Sequence, residues 1–184
     1  MSRNRMMATI ASIAAAVCVV TVASAATLAA AAPLRSAGIG QFSSWRSAQA
    51  AAGFGLMRPT KTYRLPITNK ISVARCEISK KKAKKRLVIG SYGRTVRANL
   101  TISQNNSGSP CTTTRKGTML GHYTVHGQRA TLIGDCGTRG LPSCRSTKIF
   151  MFLSWRAHGV YYQAMSYGES RNTLVGFARS LVRV

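Results

Sequence analysis

From Ile71 to Tyr167 the apolar residues of this chain recur at every second position, and that alternation constrains the fold more than any other feature. A period of two places successive side chains on opposite faces of a strand. "ANLTISQ" shows it cleanly, with Ala98, Leu100 and Ile102 on one face and Asn99, Thr101 and Ser103 on the other. "ISVARCEI" is a weak strand and "RLVIGSY" a stronger one with a continuous apolar centre. "GHYTVHG" puts Tyr123 and Val125 on one face and His122, Thr124 and His126 on the other, with "QRATLIGDC" as its hairpin partner across His126-Gly127-Gln128. "KIFMFLSW" and "VYYQAMSY" flank "RAHG", a compact hairpin signal in which Gly159 can take positive φ. "NNSGSPC" and "GTRGLPS" read as loops.

Helical periodicity appears only at the two ends of this region. In "SSWRSAQAAAG" either Ser43 or Ser44 can cap a short helix, Trp45, Ala48 and Ala52 share a face, and Gly53 ends it. "FGLMRPTKTYRLP" is interrupted by Pro59 and Pro66 and reads as extended or irregular. "GESRNTLVGFARSLV" spaces Leu174, Phe177, Ala178 and Leu181 as one helical stripe, with Glu169 in the first turn and Arg179 and Arg183 near the end. The expected architecture is α+β: an antiparallel sheet of about six strands, with an N-terminal short helix and a C-terminal amphipathic helix on one face.

The N-terminus speaks to compartment. Arg3 and Arg5 precede a long Ala-rich apolar stretch, and Ala23-Ser24-Ala25 is a small-residue cleavage pattern. Residues 1–25 are therefore expected to be a signal peptide, residues 26–41 a flexible linker, and residues 42–184 a single disulfide-bonded domain. The alternative is an uncleaved anchor reaching to about residue 32, because the apolar stretch is long enough to span a bilayer. Cys18 lies in that stretch behind Val17, which does not fit a lipoprotein signal. Export leaves Cys76, Cys111, Cys136 and Cys144, enough for two disulfides. Three connectivities are open, and the one expected pairs Cys136 with Cys144, closing the short loop "CGTRGLPSC", and Cys76 with Cys111. These cysteines lack the close spacing of a zinc site, even with His122 and His126 three residues apart, so no metal or cofactor is expected.

Charge speaks to partners. Against 27 Lys and Arg stand only Glu77, Asp135 and Glu169, a net charge of +24. Losing Arg3 and Arg5 with the leader lowers it to +22. Such a chain lacks the acids to compensate its surface and is drawn to polyanions through a field that salt screens. The charge peaks in "KKKAKKR", where Lys80, Lys81, Lys82, Lys84, Lys85 and Arg86 are the candidate anion-binding residues. An export signal excludes a nuclear role. The remaining partners are an anionic cell-surface polymer, lipid headgroups or extracellular nucleic acid. Blocks of like charge are also commonly just solvated loops, and no nucleic-acid-binding fold signature accompanies this one.

The last third, "FLSWRAHGVYYQAMSYGESRNTLVGFARSLV", resembles the ending of an uncharacterised bacterial extracytoplasmic domain family. That family occurs in secreted proteins and at the outer end of some anti-sigma factors. Trp155, Gly159, Tyr161 or Tyr162, Glu169, Leu174, Ala178, Ser180 and Leu181 follow its order. "AQAAAGFGLMRPT" resembles its opening and "TVHGQRATLIG" its mid-domain hairpin, so the likeness spans roughly residues 42–184. The chain departs from it in having "KTYRLP" where members carry an LP-x-G-Y step, and in being more basic and richer in cysteine. The resemblance implies a small α+β sensing or binding module and carries over no active site.

Catalytic constellations are sparse. Glycosidases generally need two carboxylates around one bond, and the three acids here read better as an ion-pair partner, a loop residue and a helix-terminal charge. Neither GxSxG nor HExxH is present. The sharpest enzymatic alternative is a secreted nuclease using His122 and His126 with neighbouring cations. Trp155, Tyr161 and Tyr162 offer stacking surfaces beside Arg156, although the strand pattern assigns Trp155 to the core. The functional expectation is an exported, non-enzymatic binding protein whose basic face meets an anionic envelope or extracellular polymer. A membrane-tethered sensory or regulatory domain is the second reading.

Overall fold

The alternating segments form one antiparallel sheet of eight strands, in a computed structural model that describes residues 40–68, 70–76, 85–95, 98–111, 117–137 and 140–184. In chain order the elements are β1 (Gly40–Phe42), α1 (Trp45–Ala52), β2 (Met57–Pro59), β3 (Ile71–Arg75), β4 (Arg86–Thr95) and β5 (Ala98–Asn105). They continue with β6 (Thr118–Val125), β7 (Gln128–Gly134), β8 (Phe150–Ala157), β9 (Val160–Tyr167), α2 (Arg171–Arg179) and β10 (Leu181–Arg183). The main sheet runs β1-β3-β4-β5-β9-β8-β7-β6, and β2 pairs with β10 in a separate two-stranded ribbon. The fold is α+β, with eight strands in the main sheet rather than about six. The seven alternating segments all join the main sheet, and its eighth strand is the three-residue β1, too short to carry a periodic signal and reaching into the segment expected to be a linker.

Two hairpins turn at the same end of the sheet. Val125 pairs with Gln128 and Ala157 with Val160, so each turn has two residues, His126-Gly127 and His158-Gly159. All four have positive φ, the type I′ conformation that matches the twist of the flanking strands. Gln128 therefore belongs to β7 rather than to the turn. His126 lies in the turn rather than on the polar face of a strand.

The sheet buries one face beneath both helices. Val73, Val88, Leu100, Ile102, Leu132, Leu153 and Trp155 form a continuous core with Trp45, Ala48 and Ala52 of α1 and with Leu174, Phe177 and Ala178 of α2. Ser44 caps α1 by accepting the Ser47 N–H at 3.1 Å, and Gly53 closes it at φ 70°. Ser170 caps α2 by accepting the Thr173 N–H at 3.1 Å. Glu169 therefore precedes the cap and is not in the first turn, and Leu181 and Arg183 belong to β10 instead of continuing the helix.

The β2–β10 ribbon is fastened over this core by a fully buried glutamine. Gln104 accepts the Met57 N–H through Oε1 at 2.8 Å and donates from Nε2 to the Met57 carbonyl. Its side-chain amide thus acts as one rung of a β-ladder. Both outer strands of the main sheet are interrupted. β1 has three residues, and β6 carries a register shift between Met119 and Gly121, where Gly121 takes φ 141°.

Both disulfides form in the expected pairing, Cys76–Cys111 and Cys136–Cys144. The first is buried with Leu87 in a small second cluster apart from the main core. Disulfides belong to an oxidising, extracytoplasmic setting. No described helix is long and apolar enough to cross a membrane.

Candidate functional site

The cationic run occupies the connection between β3 and β4. Arg75 stands opposite Arg86 across the antiparallel ladder, and the Cys76 N–H donates to the Lys85 carbonyl at 3.0 Å. The chain thus leaves and re-enters the sheet at adjacent points, beside the Cys76–Cys111 disulfide. Of the six candidate cations, Lys85 is exposed and Arg86 half-buried, while Lys80, Lys81, Lys82 and Lys84 lie outside the described residues, as does Glu77.

The proposed histidine pair is not assembled. His122 sits on the sheet face away from the helices, with Nδ1 3.3 Å from Thr131 Oγ1. His126 turns toward the helix side, where Nε2 lies 3.3 Å from the carbonyl oxygen of Ala178 in α2. A carbonyl only accepts, so Nε2 carries the proton. Tyr161 faces away from the helices, opposite Arg156 across the β8–β9 ladder. Among the other acids, Asp135 follows β7, and Glu169 borders a shallow depression with Cys144, Arg145 and Arg171. Partial burial raises the Glu169 carboxyl above its ordinary range.

On the helix side, the two His-Gly turns, the loop after α1 and strand β10 enclose a cleft of about 510 Å³. Trp155 and Tyr162 form a parallel stack in its wall, with ring centroids 5.3 Å apart and planes at 6°. Phe54, Leu56 and Val160 add apolar surface, while His126, His158 and Arg183 bring polar groups. Trp155 is only 3% exposed, and its indole Nε1–H has no hydrogen-bond acceptor among the described residues. The other tryptophan shows the usual solution: Trp45 Nε1 donates to the Tyr92 hydroxyl at 2.9 Å. Burial raises the pKa of the Tyr162 phenol, an effect that the positive charge of Arg183 partly offsets. Burial raises Tyr92 as well, against the hydrogen bond from Trp45 and the charge of Arg58.

Strand alternation correctly assigns Trp155 to the core, but it does not identify the cleft. Arg183 reads as a helix-end charge and His126 as a strand residue, because the residues that bring them here are distant in sequence. One signal was available: two X-Gly hairpin turns, each with histidine first, on hairpins that lie side by side. No family model, curated protein or solved structure matches this chain.

Proposed function

We propose that the chain is an exported, non-enzymatic binding protein whose cationic surface holds an anionic envelope or extracellular polymer. The observation that supports this reading most directly is the position of the basic run. It connects two adjacent antiparallel strands, and a disulfide secures the point where it leaves the sheet. A connection tethered at its base loses less conformational freedom on binding than a free tail of the same charge. The surrounding chain supplies a field of one sign, since three acids face 27 cations. On this reading the protein acts as a small extracytoplasmic module of the kind its C-terminal third resembles.

Retention on a DNA or anionic-polysaccharide column tests the proposal. Gln at all five lysines of the run should lower the salt needed for elution. On duplex DNA, the slope of log affinity against log salt should become shallower by up to about 4.5, roughly 0.9 per lost phosphate contact. Equal retention of the parent and the variant would remove the run from the binding surface.

A further inference from the structure

We propose that the face of the main sheet turned away from the helices is a platform for single-stranded nucleic acid. Bases stack on Phe150, Phe152 and Tyr167, and phosphates meet Arg156 and Arg129. The inference rests on the reading of the chain as a binder of anionic polymers. It names one such polymer and places it on a surface other than the β3–β4 connection.

Both helices pack on one face of the sheet, so alternation turns every second strand residue toward the other face. On β8, Met151, Leu153 and Trp155 point into the core, which directs Phe150, Phe152, Ser154 and Arg156 outward. On β9, Tyr162 and Ala164 point inward, and Met165 and Tyr167 point outward. The ladder sets Phe150 opposite Tyr167 and Phe152 opposite Met165, with Ile133 of β7 on the other side of Phe152. The rings form one patch: the centroids of Phe150 and Tyr167 are 4.6 Å apart, and those of Phe150 and Phe152 are 6.5 Å apart with planes at 22°. Phe150 is 41% exposed, and Phe152 and Tyr167 are half-buried. A contiguous apolar patch open to solvent marks a place for a partner.

Along the same face the chemistry changes in order. One row beyond Phe152 the strands present Ser154, Gln163 and Thr131, and the next row brings Arg156. Arg129 lies two residues from Thr131 toward the same end, and both arginines are exposed. Four residues of extended strand separate Phe152 from Arg156, a span of about 14 Å. One carboxylate, Asp135, adjoins the patch, its backbone N–H donating to the Phe150 carbonyl at 2.9 Å. The strands of the main sheet themselves contain no acid.

This order of groups selects the partner. Arginines alone would accept any polyanion, and a duplex offers them only its phosphates because its bases are already stacked. The rings call for flat apolar faces, and unstacked bases supply these at intervals along a phosphate backbone. Met165 and Ile133 beside the rings suit a base better than a sugar, whose hydroxyls would lose water there without gaining partners.

The test titrates the purified protein with labelled oligomers of one length: single-stranded oligothymidylate, an abasic strand and a duplex. Oligothymidylate should bind at least about tenfold more tightly than the abasic strand, the equivalent of one stacked base. Phe150→Leu keeps an apolar side chain at an exposed position and removes the ring. It should weaken oligothymidylate about tenfold, leave the abasic strand and the duplex unchanged, and be rescued by Phe150→Trp. Arg156→Gln should make the salt slope for oligothymidylate shallower by about 0.7, one single-strand phosphate contact. Gln at the five lysines of the basic run separates the two proposals, since losing those contacts weakens both single strands alike and leaves their ratio unchanged. Equal affinity for oligothymidylate and the abasic strand would overturn the platform, whatever the lysine variant does. So would oligothymidylate binding that Phe150→Leu does not weaken. An equal effect of Phe150→Leu on heparin or on phosphatidylglycerol vesicles would assign the patch to a sugar or a lipid and overturn it as well.

Discussion

Gly90 shows how closely residue identity is matched to packing in this chain. It lies in the middle of β4, facing the helices, where a Cβ would intrude on the six-membered ring of Trp45. Gly90→Ala should therefore push α1 off the sheet and destabilise the protein by about 1–3 kcal/mol, the usual range for an overfilled core. Urea unfolding measures the loss. Trp45 fluorescence should change in the native baseline while the Trp155 indole signal does not. The sequence shows "RLVIGSY" as a strand but gives no reason for its glycine, because the reason is a ring more than forty residues away. The same limit applies to His126. Alternation places it on a strand face only while the strand continues, and β6 ends at Val125. Trp155 is legible as a core residue because burial follows from period. Its lack of an acceptor is not legible, since that depends on every neighbour at once.

At the scale of elements, legibility follows length. Strands β4 to β9 have at least seven residues each and show themselves by alternation. β2 and β10 have three each and owe their pairing to contacts from elsewhere, chiefly the Gln104 amide that grips Met57. No local pattern announces such a strand. The disulfides are only partly legible: four cysteines in a chain expected to be exported allow three pairings, of which short loop closure favours the one with Cys136–Cys144. Their energetic weights should differ. Cys76–Cys111 spans 35 residues and Cys136–Cys144 only 8. Loop-closure entropy gives about 4 kcal/mol for the longer loop and about 2.5 kcal/mol for the shorter. Denaturant midpoints of the two double-alanine variants should rank in that order. A larger loss from the Cys136–Cys144 pair would show that the short loop matters through its packing instead.

For the whole molecule the dominant quantity is charge. With +24 formal units and three acids, folding concentrates like charges and works against itself. Salt should therefore stabilise the fold. Raising ionic strength from about 0.01 M to about 0.15 M shortens the screening length from roughly 30 Å to roughly 8 Å. The melting temperature should rise by at least about 2 °C, which corresponds to roughly 1 kcal/mol for a chain of this size. A flat response in calorimetry would mean that the cations are already compensated within the fold.

The interrupted outer strands have a consequence for how such a protein survives its surroundings. A polyanion that gathers many copies of a basic chain also crowds their sheets together, and unprotected rims would then join into fibres. Among the described residues, a three-residue strand at one rim and a kinked, glycine-bent strand at the other offer no long straight template. If the protein gathers on a polyanion as proposed, these rims would let it be concentrated there without seeding its own polymerisation.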